Sequence, residues 1–197
     1  MKKVTLVSLL ISIFSFSFSD NKGFYVGLSG GIASSETYAL DDGSFGGKAN
    51  PGGSALLGYQ FNQYFSTELT YLYLGNSETL GINQSQTFLS TSFKGILPLD
   101  EQFSLFAKAG IGYNFASATG KISIGPNSNS DIAFNSNNLF SVLGIGLGYN
   151  FTEFLQLSIA DDYYLVSAPK LNDKFSSSTK FGYGNTNFFS LGINYKF

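Results

Sequence analysis

The 197-residue chain contains no cysteine, no histidine, no tryptophan and no arginine, so all eleven of its basic residues are lysine. Without cysteine there is no disulfide framework, zinc ribbon or thiol chemistry, and without histidine the common metal sites and every Ser-His or Cys-His nucleophile are excluded. Charge is scarce too, at 12% of residues. In its place stand 17% Phe and Tyr together with 23 glycines, a balance too apolar for disorder and too poor in charge for an ordinary water-facing surface. The slight acidic excess offers no basic stripe to a phosphate backbone, so no nucleic-acid partner is expected.

The chain opens Met1-Lys2-Lys3, continues with an apolar stretch from Val4 to Phe18, and places small Ser17 and Ser19 ahead of Asp20. That layout predicts a secretory signal peptide over residues 1–19, cleaved after Ser19, and leaves residues 20–197 as a single outer-membrane domain. An uncleaved membrane helix fits less well, because the stretch is short and broken by serines. After cleavage nine lysines face thirteen acidic residues, a net charge of −4. No later window of 18 residues is apolar enough for a transmembrane helix, so any crossing of a membrane is made with strands.

Two-residue periodicity then recurs eight times. In residues 23–33 the set Phe24, Val26, Leu28, Ile32 alternates with Gly23, Tyr25, Gly27, Ser29, Gly31. The same alternation marks segments 53–61, 65–74, 86–97, 103–116, 138–151, 154–166 and the end of the chain. Three connections are short: Asn62 to Tyr64, Pro98 to Gln102, and Thr152-Glu153. The other four are long and polar: Ser34 to Gly52, Gly75 to Ser85, Ser117 to Asn137 and Ser167 to Asn185. Short turns on one side and long loops on the other predict an all-β fold, an eight-stranded antiparallel up-and-down transmembrane β-barrel. A soluble barrel needs charged residues along its outer wall. Here the set opposite the apolar one is mostly Gly and Ser with single charges at Glu68, Lys94 and Lys108, which suits a narrow filled interior, while Tyr and Phe gather at strand ends as two interfacial girdles.

The segments Gly23-Phe-Tyr-Val-Gly-Leu-Ser-Gly-Gly31, Gly58-Tyr-Gln-Phe-Asn-Gln-Tyr64, Glu68-Leu-Thr-Tyr71 and Phe189-Ser-Leu-Gly-Ile-Asn-Tyr-Lys-Phe197 resemble the eight-stranded transmembrane barrels related to the N-terminal domain of outer membrane protein A. The resemblance covers residues 23–197. It implies residence in the outer membrane of a Gram-negative bacterium, in contact with its lipid. It further implies that Phe189, Leu191, Ile193, Tyr195 and Phe197 form the C-terminal signal read by the outer-membrane assembly machinery. Long members append a periplasmic peptidoglycan-binding domain; this chain stops at the barrel, so cell-wall tethering is not implied. Family members often hold a lumen charge cluster, for which Glu68, Lys94 and Lys108 have the inward parity, although the seventh segment offers Ser158 where a basic residue is expected.

That cluster reads first as mutual neutralisation in a narrow interior and second as a gate. Gly144-Ile-Gly-Leu-Gly148 is strict alternation, read as inward glycines making room for neighbours rather than as a phosphate loop. The acid pairs Asp41-Asp42, Asp100-Glu101 and Asp161-Asp162 lack calcium-loop spacing and are expected to be solvated loop or rim residues. No cofactor and no enzyme activity are expected, since the barrel hydrolases and proteases of this size use a histidine. The expected role is a monomeric structural and surface protein whose long loops meet a host or surface ligand. The alternative is a narrow porin-like channel for small solutes gated by the ion cluster.

Overall fold

The computed structural model describes residues 22–38, 48–79, 82–123, 129–166 and 182–197; the expected signal peptide and the pair Asp41-Asp42 lie outside them. Eight strands run in chain order: β1 (Gly23–Tyr38), β2 (Lys48–Asn62), β3 (Phe65–Thr79), β4 (Ile82–Pro98), β5 (Phe103–Ser123), β6 (Asn129–Asn150), β7 (Leu155–Val166) and β8 (Gly182–Lys196). Each pairs antiparallel with its chain neighbour, and β8 pairs with β1, so the sheet closes on itself. Closure matters because an open edge would leave a row of unpaired N–H and C=O groups.

Register fixes the geometry of the barrel. Following paired residues from Leu155 through Tyr195, Val26, Leu57, Leu69, Thr91, Ile111 and Ser141 returns to β7 at Leu165, a stagger of ten residues. With eight strands spaced about 4.8 Å apart and a rise of about 3.3 Å per residue, that stagger tilts the strands by roughly 40°. The interior is then just wide enough for side chains to fill.

The alternation sorts the two faces as the periodicity predicts. Leu28, Ile32, Phe93, Ile111, Ile145, Leu143 and Leu191 are exposed on the outer wall, while Tyr25, Ser66, Glu68, Ser90, Ser92 and Lys94 are buried inside. Rings cluster on the outer wall near the short-turn end, among them Phe24 against Tyr59, Phe103 against Tyr149, and Tyr195 against Phe197. The short turns are held by their own side chains. Asn62 Oδ1 accepts from the N–H groups of Tyr64 and Phe65, Asp100 Oδ1 from those of Gln102 and Phe103, and Thr152 Oγ1 from those of Phe154 and Leu155. These are Asx and ST turns. Asp100 is thus a turn residue at the rim.

At the other end the strands outrun the expectation. The connection expected at Gly75 to Ser85 contracts, since β3 reaches Thr79 and β4 starts at Ile82. Most of Ser117 to Asn137 is ladder, with β5 continuing to Ser123 and β6 starting at Asn129. Pro51, expected in a loop, lies within β2. Periodicity reports a strand only where one face is apolar; beyond the apolar band the ladder continues through Ser, Thr and Asn and leaves no hydrophobic trace.

Candidate functional site: the barrel lumen

The structure brings Glu68, Lys94 and Lys108 together from adjacent strands β3, β4 and β5. Lys94 Nζ lies 2.9 Å from Glu68 Oε1, Lys108 Nζ lies 3.9 Å from Glu68 Oε2, and Tyr25 OH donates to Glu68 Oε1 at 2.8 Å. The Lys94 ammonium also sits 4.1 Å from the centroid of the Phe106 ring, a cation–π contact. Glu68 is 2% exposed, so its charge is stable there only because donors surround it.

The fourth member corrects the reading of the Asp161-Asp162 pair as rim acids. Asp162 is buried in the lumen, with Oδ2 2.8 Å from Lys108 Nζ. The seventh strand therefore brings an acid where a base was expected, and the cluster balances two lysines against two carboxylates. The signal was present in parity: Gln156, Ser158, Ala160 and Asp162 share the inward set of β7. Asp161, one residue before, points out of the barrel.

Inward glycines make this packing possible. A Cβ on Gly58 would overlap the ring of Tyr25, and one on Gly144 would collide with Asp162 Oδ1 and come within 2.8 Å of Lys108 Cε. Tyr25 thus rests over the bare backbone of β2, and Lys108 and Asp162 over that of β6. Gly144→Val should cost about 1–3 kcal/mol by forcing the Lys108–Asp162 pair apart, measured by urea unfolding of the barrel in bilayers. Gly30→Ala, on the open outer wall with nothing within 4 Å, should leave the unfolding midpoint where it is.

Toward the long-loop end large apolar side chains fill the lumen, with Gln86, Asn114 and Thr186 buried among them, which the Gly/Ser pattern did not foretell. Leu72, Leu74, Phe88, Phe140, Val142, Tyr164, Val166 and Phe188 form a buried cluster. Phe88, Phe140 and Tyr164 pack ring on ring, with centroids 4.9 to 5.5 Å apart, and Phe88 is 0% exposed. On β3 and β7 these residues follow Glu68 and Asp162 along the strand, so the plug is stacked above the ion cluster. Toward the short turns the lumen instead opens into a vestibule of about 1010 Å³ lined in part by Gln60, Gln156, Asn194 and Lys196. Asn194 donates to Gln156 and Gln156 to Asn150 along its wall. The interior therefore has three levels: an open polar cup, a neutralised charge layer and an aromatic stopper.

The expected assembly residues lie on β8, with Phe197 directly after it, and share outward parity. Phe189, Leu191, Ile193, Tyr195 and Phe197 are all exposed, and the Phe197 N–H donates to the Phe24 carbonyl across the seam with β1.

Solved structures share this architecture. Neisserial surface protein A superposes with a TM-score of 0.64 at 16% identity, covering 91% of this chain and 100% of that one. The attachment invasion locus protein Ail of Yersinia pestis gives 0.52 at 17% identity over 89% and 99% of the two chains. The outer membrane protein OprG of Pseudomonas aeruginosa gives 0.52 at 12% identity over 90% and 97%. At these identities the likeness shows the fold. No curated protein matches the sequence. The family model of the OmpA-like transmembrane domain, however, matches residues 19–197. With an aromatic-rimmed apolar outer wall around a closed, charge-balanced lumen, the chain belongs to the OmpA-like transmembrane domain family.

Proposed function

We propose that this chain is a monomeric structural protein of the Gram-negative outer membrane, freed from residues 1–19 on export, whose filled barrel anchors surface loops that meet a host or other surface ligand. The observation that carries this reading is the division of strand length. A strand of about 9–11 residues crosses a bilayer, whereas β5 and β6 are 21 and 22 residues long. The surplus stands on the long-loop side, and on the opposite side the chain is cut to three tight turns. So much ladder outside the membrane serves presentation rather than anchoring. Two of the structural relatives, a neisserial surface protein and an attachment invasion locus protein, fit the same reading.

The short turns, the start of β1 and the end of β8 then face the periplasm. There the alternate apolar residues of β8, ending at Phe197, are the segment offered to the assembly machinery before the seam closes. The lumen supports anchoring and not transport: a porin-like channel gated at Glu68 would also have to pass the stopper at Phe88, Phe140 and Tyr164. Absence of histidine favours a non-enzymatic role.

Trimming the β5–β6 hairpin by deleting residues 118–136 tests the reading. Attachment of cells displaying the protein to host cells or surfaces should fall to the level of cells lacking it, with folding preserved as a heat-modifiable shift on gels. Undiminished attachment by the trimmed form, or recovery of the intact protein from the soluble periplasm, would overturn it.

A further inference from the structure

The outer wall of β7 runs Leu155, Leu157, Ile159 and then presents a carboxyl, that of Asp161, which is exposed. Its ladder partners are Ile145 and Phe189, both outward and more than half exposed. Register sets its depth. A strand tilted by roughly 40° gains about 2.5 Å of height per residue. Six residues from the Leu155 end, Asp161 stands about 15 Å above the short-turn girdle, and the lipid-facing band of such a barrel is about 25 Å tall. The carboxyl is therefore in the hydrocarbon, where an unsatisfied polar group is costly. Oδ1 accepts from Asn187 Nδ2 at 2.7 Å; among the described residues no hydrogen bond reaches Oδ2.

Beside it the wall is hollow. A groove of about 600 Å³ runs over the small side chains of Ala107 and Ala109, flanked by Phe93 and Ile145, and ends at Asp161 and Tyr163. It is apolar along its length and polar only at the long-loop end.

We propose that this groove binds one acyl chain of an outer-leaflet lipid, a chain that carries a hydroxyl or amide N–H near its head, with that donor bonded to Asp161 Oδ2. The inference rests on the outer-membrane reading, which puts the long-loop end of the groove in the outer leaflet. The ionised Asp161 carboxylate only accepts, and a glycerophospholipid offers it only ester carbonyls, which also accept. A 3-hydroxyacyl or amide-linked chain supplies the missing donor. A contact between two copies needs a flat, self-complementary patch, and a groove with its polar group at one end is not one.

The test uses the full chain refolded into nanodiscs of phosphatidylcholine and phosphatidylethanolamine, with and without lipid A bearing amide-linked 3-hydroxyacyl chains, then released for native mass spectrometry. Wild type should keep one lipid A per barrel and no comparable phospholipid. Asp161→Leu, which removes the acceptor, and Ala109→Leu, which fills the floor, should each lower retention at least tenfold. Equal retention by wild type and both variants, or equal retention of phosphatidylcholine, would overturn the site. So would a dimer abolished by Asp161→Leu, which assigns the groove to a second copy. A chain that inserts into neither disc overturns the outer-membrane reading and the site with it, whereas insertion with equal retention overturns the site alone.

Discussion

Glu68→Ala should lower the unfolding free energy of the barrel by about 3–5 kcal/mol, the usual penalty for stranding the partner of a buried ion pair. The substitution removes the carboxylate that Lys94 Nζ approaches at 2.9 Å and the acceptor of the Tyr25 hydroxyl. Lys108 keeps Asp162, but among the described residues Lys94 has no other acid within salt-bridge distance, and its ammonium is left against the Phe106 ring at the floor of the vestibule. Glu68→Gln keeps an acceptor for Tyr25 and should lose less. Urea titration in bilayers, followed by circular dichroism and by the heat-modifiable gel shift, reads the difference. A loss below about 1 kcal/mol for the alanine variant would mean that water reaches the charge layer and that the neutralisation account is wrong.

Phe140→Ala should cost a similar amount, about 3–5 kcal/mol, through the cavity left beside Phe88 and Tyr164, which already pack on each other and so have little room to close over it. The Phe140 ring packs on both Phe88 and Tyr164, which come from β4 and β7, so the cluster ties together strands that do not pair with one another. Its larger consequence concerns permeation. Charge layer and stopper are barriers in series, so single-channel conductance in planar bilayers should stay at baseline for Glu68→Gln alone and for Phe140→Ala alone, and rise only when the two are combined. Conductance that appears with Glu68→Gln alone would restore the gated-channel reading and sink the anchoring one.

The parts legible in the sequence are those where one face of a strand differs in kind from the other. Leu143, Ile145 and Leu147 alternating with Gly144, Gly146 and Gly148 fixes both the strand and the side that meets lipid. Where both parities are apolar the period vanishes, and with it the stopper: Leu72-Tyr73-Leu74, Phe88-Leu89 and Phe188-Phe189 read as greasy runs, although alternate members lie on opposite sides of the wall. Asp162 was hidden by its neighbour. Two adjacent acids look like a solvated pair, yet adjacent residues of a strand never share a face, so one of the two had to enter the lumen. Strand length at the loop end was illegible for a simpler reason, since water on both sides imposes no pattern.

The seam between β1 and β8 has a consequence for how the barrel forms. Ser35 and Thr186, 151 positions apart, bond across it, and the backbone of Phe197 reaches that of Phe24. Neither β1 nor the strand opposite it has a partner on its open side until β8 is delivered, so a chain still lacking β8 has no stable partial barrel to rest in. Native pairing is then a single late event with a high loop-closure cost, and until it occurs both raw edges need either water or a temporary strand partner. A barrel sealed by the pairing of β8 with β1 couples the delivery of that strand to the protein's permission to stay in the membrane.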